Sequence, residues 1–132
     1  MTRQRFTELV EEALRDIPGS FRNAMKNVAV IVEDEPPPHI LQEMEIEPPD
    51  SLFGLYQGTP LPDRGWAYGN ALPDRISIYQ GPIEDACADD DEVRDCIAET
   101  VIHEFGHYFG MDEDQIEEIE EKYWRGESLD DI

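Results

Sequence analysis

The stretch Thr100–Glu113, TVIHEFGHYFGMDE, sets the tightest limit on what this chain can fold into. Its two histidines, His103 and His107, stand four residues apart. On an α-helix that spacing puts two side chains one turn apart on one face, so both imidazoles can address a single ion. Neutral imidazole is the commonest metal ligand and suits zinc. Glu104 sits one residue round from His103, beside such an ion without having to bind it. There a carboxylate can take a proton from a water on the metal and pass it to a leaving group.

The residues after the histidines fit the same chemistry. Gly110 comes three residues after His107, where a helix can end in a left-handed residue that glycine adopts without strain. The chain then enters Asp112-Glu113-Asp114, a run of carboxylates within reach of the same ion. A catalytic zinc site needs three protein ligands and an open position for water. Glu113 is the expected third ligand, with Asp114 in reserve. Asp112, with Gln115 three residues later, has the pattern of a helix cap with its capping-box partner. The plainer account makes the histidines a satisfied core pair and Glu104 a solvated helix residue.

At 132 residues and 39% hydrophobic, the chain is expected to form one domain, 1–132, with a modest core. It has no long apolar run and no basic-then-apolar leader, so neither a membrane span nor secretion is expected. Cys87 and Cys96 lack a C-x-x-C pattern and are expected to be reduced thiols in a cytoplasmic protein. The net charge of −22 argues against nucleic acid and anionic lipid as partners. It would suit basic peptides or cations, although an acidic surface that keeps the protein soluble is the simpler explanation.

Along the chain, residues 3–16 place Phe6, Leu9, Val10, Ala13 and Leu14 at helical spacing. Residues 27–33 are β-branched and read as a strand. The proline-rich stretch 34–50 reads as a loop with a helical turn at 40–43, carrying His39 as a surface residue. Strands are expected at 52–57 and 75–79, joined by a long connection in which Trp66 and Tyr68 border a groove or cap the core. The tetrapeptide LPDR occurs at 61–64 and 72–75, too few copies for a repeat. Gly81-Pro82 is expected to end the strand 75–79, with one or two helical turns following at 83–88. The acids 89–92 suit the start of a helix spanning about 91–109, whose core stripe is Val93, Ile97, Val101, Phe105 and Tyr108. A last helix, 113–124, sets Ile116, Ile119, Tyr123 and Trp124 against the core, and 125–132 fray. The order predicts an α+β fold with one small sheet.

The segments LPDRISIYQGPIE and ETVIHEFGHYFGMDED resemble the small bacterial zincin-like metallopeptidase family with its HExxHxxGxx(D/E) motif. The resemblance extends over most of the chain, including the opening helix and LFGLYQGTPL. It implies a minimal zincin fold, a short mixed sheet with an active-site helix, and a metal-dependent peptidase. Carried over residue by residue, His103 and His107 are metal ligands of one zinc ion, Glu104 is the general base, and position 113 completes the site. The family often has Asp there where this chain has Glu. No partner that would orient the histidines stands out in the sequence. In zincins the substrate usually lies along an edge strand, here 52–57 or 75–79. Tyr108 or Arg75 is a candidate for helping the oxyanion. The expected activity is hydrolysis of a peptide or protein substrate. The alternatives are a non-catalytic module with a structural metal and a partner protein working through its acidic face.

Overall fold

The computed structural model describes residues 1–17, 28–58 and 74–126. The expectations for Trp66, Tyr68, the first LPDR copy and the tail beyond 126 lie outside them. In chain order the elements are α1 (Arg3–Asp16), β1 (Val28–Glu33), α2 (Pro38–Glu43), β2 (Gly54–Gln57), β3 (Asp74–Tyr79), α3 (Gln80–Ala86), α4 (Asp90–Tyr108) and α5 (Glu113–Trp124). The class is α+β and the sheet is small and mixed, both as expected.

Among the described strands β3 is central. β1 pairs with it in parallel, from Val28↔Asp74 to Glu33↔Tyr79. β2 pairs with it antiparallel, from Gly54↔Ile78 to Gln57↔Arg75. The expected strand 75–79 is therefore an inner strand, both of whose edges are taken, and it cannot offer an edge to a substrate. β2 can.

The core forms where helix and sheet stripes meet. Thr2 caps α1 by accepting from the Arg5 amide, and Phe6, Leu9, Val10 and Ala13 are buried as their spacing predicts. They pack on α4, whose Val93, Ile97, Val101, Phe105 and Tyr108 are buried in turn, joined by Ile76 and Ile78 of β3. Asp89 caps α4 by accepting from the Glu92 amide, with Asp90, Asp91 and Glu92 in the first turn. The acidic run thus satisfies amides and meets the positive end of the helix dipole. Exposed pairs such as Arg5–Asp90 and Arg94–Glu12 link α1 to α4 at the surface.

Three local expectations need correction. α3 begins at Gln80 rather than Ile83 and ends at Ala86 rather than Ala88, while β3 stops, as expected, before Gly81 and Pro82. They occupy the first turn, where proline's missing N–H costs nothing. α2 runs from Pro38 rather than starting at Ile40, again with proline opening a helix. Trp124 is 48% exposed rather than packed on the core, since α5 ends there, while Ile116 and Ile119 are buried as expected and Tyr123 is partly so.

Candidate metal centre

The site is built where α4 ends and α5 begins. Gly110 takes φ 76°, the left-handed conformation expected of it. The Gly110 amide donates to His107 O and the Met111 amide to Gly106 O, each at 3.0 Å. These are the two bonds of a Schellman stop, which ends the helix and satisfies its last carbonyls. Two residues on, Asp112 opens α5 with a full capping box: its side chain accepts from the Gln115 amide while Gln115 accepts from the Asp112 amide. Asp112 is spent on that cap, so the acid next to it, Glu113, is the one free to face back.

Glu113 does face back. Its Oε2 lies 3.5 Å from His103 Nε2 and its Oε1 3.4 Å from His107 Nε2. Donors about 2.0–2.2 Å from a tetrahedral zinc stand about 3.4 Å from one another. Each histidine Nε2 stands at about that distance from one Glu113 oxygen, a different oxygen for each ring. Donor atoms of His103, Glu104 and His107 also lie within 4.8 Å of one another. Asp114 is exposed in the first turn of α5 and makes no comparable contact among the described residues.

Glu104 is only 8% exposed. One of its oxygens, Oε1, accepts the Tyr56 amide of β2 at 2.9 Å. The other, Oε2, points toward the histidines, 3.9 Å from His103 Nε2. Burial raises its carboxyl above the ordinary range; the Tyr56 amide and both histidines pull the other way, and Glu113 adds to the rise. A desolvated carboxylate of this kind is a stronger base than one in water.

Two glycines let the elements approach this closely. A Cβ at position 54 would lie 2.6 Å from Thr100 Cγ2 and 2.8 Å from Ser77 O, so glycine allows β2 to rest on α4 and bring the Tyr56 amide to Glu104. A Cβ at position 106 would lie 2.5 Å from Ile116 Cγ1. Position 106 is one of the two open places in H-E-x-x-H, and here it is where α5 sits down on α4.

One residue of the site was not visible in the sequence. His103 Nδ1 lies 2.7 Å from Glu120 Oε1, and Glu120 is 17% exposed. A carboxylate at Nδ1 fixes the ring and leaves Nε2, on the Glu113 side, for a metal. The sequence does hold a faint signal, since Glu120 comes seven residues after Glu113 and so lies on the same face of α5. No such partner holds His107 among the described residues. His39 lies exposed on α2, as expected, and is not part of the cluster.

The two residues suggested for the oxyanion have other engagements. Arg75 is exposed, and its Nε donates to Gln57 Oε1 at 2.8 Å across the β2–β3 pair. Tyr108 is buried in an aromatic group, stacked on Phe105 at 5.2 Å and edge-on to Tyr56 at 6.0 Å. Cys87 and Cys96 are free thiols, as expected. No described helix is long and apolar enough to cross a membrane.

Comparisons with known proteins give a family and a fold. A family model described as zincin-like metallopeptidase matches residues 25–123. A conserved hypothetical protein from T. thermophilus has a similar fold, with a TM-score of 0.55 at 24% identity over 83% of this chain and 94% of that one. No curated protein matches the sequence.

Proposed function

The chain belongs to the zincin-like metallopeptidase family, and on that premise we propose that it is a zinc-dependent peptidase. His103 and His107, through Nε2, and Glu113 hold the ion, and Glu104 is the general base. The observation that carries this reading is the convergence of both Nε2 atoms on the one Glu113 carboxylate, at 3.5 and 3.4 Å. A zinc ion there would supply the usual chemistry, an acidified water and a polarised peptide carbonyl.

The chain's own groups do the rest. Glu104 takes a proton at Oε2 and returns it to the amine nitrogen as the peptide bond breaks. The Tyr56 amide fixes Oε1, so the carboxylate keeps one oxygen toward the reaction and does not rotate away. The same strand, β2, is an edge among the described strands, and it brings a substrate backbone alongside Glu104. Glu120 holds the His103 ring in the tautomer that presents Nε2.

The test is zinc content and peptide turnover together. Protein purified without chelator is expected to carry one equivalent of zinc, lost in His103→Ala. Glu104→Gln is expected to keep the zinc and lose turnover. The rival reading is a structural metal, favoured by Glu104 standing near enough to act as a fourth donor. It predicts that Glu104→Gln weakens zinc binding and that wild type has no turnover to lose.

A further inference from the structure

Beside His103, on the side away from His107, a cleft of about 430 Å³ runs between β2 and the helices. Leu52, Phe53 and Gly54 form one wall; Cys96 and Thr100 of α4 line it further along. Glu99 and Glu120 are in the lining as well, and the cleft opens onto His103 and Glu104. Its lining therefore combines an apolar wall with carboxylates, and among the described residues holds no lysine or arginine.

Besides Glu104, two acids line the cleft, and they differ in what they already do. Glu120 spends Oε1 on His103 Nδ1. Glu99 makes no hydrogen bond or ion pair among the described residues. Burial, and then the charge of Glu120, hold its carboxyl above the ordinary range, with His103 opposing. Glu99 thus stands in the cleft with no cation bonded to it among the described residues, beside a Glu120 already held by His103.

A guest that suits this lining has an apolar stem and a cationic head. An aliphatic side chain would cover the wall but strip water from carboxylates left unpaired. An acidic one would be repelled. Lysine and arginine lay their methylenes along apolar surface and keep their charge at the end. We propose that this cleft receives a lysine or arginine side chain next to the bond to be cleaved, and that Glu99 is the anion that selects it. The inference rests on the peptidase reading and adds the substrate class: peptides basic beside the scissile bond.

The experiment uses the full-length, zinc-loaded protein and internally quenched peptides that differ at one residue, Arg, Leu or Glu, placed in turn on either side of the cleaved bond. One position should favour Arg over Leu, with Glu poorest. Glu99→Gln should lower the Arg-to-Leu ratio of kcat/KM about threefold and Glu99→Lys about tenfold, as befits a half-exposed charge pair. The same peptides are titrated against zinc-loaded Glu104→Gln, with and without Glu99→Lys, to read binding without turnover. Cleavage with no basic preference, or a preference that Glu99→Lys leaves intact, overturns the cleft assignment and leaves the peptidase standing. A Glu99-dependent preference in binding with no turnover of any peptide upholds the cleft and overturns the peptidase. Neither binding nor cleavage overturns both.

Discussion

α4 and α5 furnish the same site in opposite ways. α4 is the core helix: the residues flanking its histidines, Ile102, Phe105 and Tyr108, are buried, so His103, Glu104 and His107 project from a helix that cannot move without disturbing the interior. α5 is an acidic surface helix that touches the core mainly through Ile116 and Ile119. It contributes Glu113, 70% exposed, and Glu120, 17% exposed. One helix gives the site its rigidity and the other closes it. Where they meet, Ile116 rests directly on Gly106.

On that division, the largest effect comes from α4. Glu104→Gln should lower turnover by about 10²–10⁴-fold while leaving zinc bound, measured as kcat on protein of known metal content. Loss of zinc in the same variant would break the division, since Glu104 would then be a ligand.

The α5 substitutions should act on affinity instead. Glu120→Gln should weaken zinc about 10–100-fold in a chelator competition, because His103 loses the carboxylate that orients it. Glu113→Gln should weaken it further, as a ligand is lost rather than a ligand's support. Equal effects at 113 and 120 would mean that α5 contributes only its overall charge.

Gly106→Ala tests the joint between the helices. Forcing a methyl against Ile116 should cost about 1–3 kcal/mol of stability, read as a lower Tm, and should weaken zinc binding as Glu113 and Glu120 move off. Gly106→Ala with Ile116→Val, which relieves the clash, should recover part of both losses. A Tm loss with zinc affinity intact would show that α5 can shift without taking its carboxylates away.

The smallest consequence for the site concerns the buried first half of α4. Burial, reinforced by Cys87, pushes the Cys96 thiol up to about 12 from an ordinary 9.0. A raised pKa leaves less thiolate at a given pH, so Cys96 should resist alkylation at pH 8 in the folded protein and react faster as the pH climbs toward 12. Mass spectrometry after iodoacetamide treatment, folded against urea-unfolded, reads this directly. Equal labelling in both states would mean that this part of α4 opens.

The same division explains what was legible in the sequence. α4 was readable because a two-histidine spacing and a five-residue apolar stripe are both rare patterns, and they agreed on one helix. Gly110 marked its end, and Glu113 came at the right distance. α5 was not, because Glu120 stands among Glu117, Glu118 and Glu121, and charge alone does not separate the acid that reaches His103 from those that face water. The distinction comes from how α5 lies on α4, which depends on a glycine contact that no residue pattern announces. Trp124 failed for a related reason: helical spacing assigns it a face, but the packing that would bury it runs out with the helix. The sheet order was equally out of reach, since an alternating strand such as 75–79 looks the same at an edge or in the middle.

The hydrogen bond from the Tyr56 amide to Glu104 has a consequence for solubility as well. An edge strand with a full row of unpaired amides and carbonyls invites the strand of another molecule, the first step of β-aggregation. β2 is only four residues long, and its outward amide at Tyr56 is already taken by a side chain of the same molecule. Any extended chain docking there, a substrate backbone included, finds that donor taken and pairs only with the outward groups that remain. Removing the Glu104 carboxylate would restore that donor, so a Glu104→Ala protein prepared as an inactive control should self-associate more readily than wild type at the same concentration.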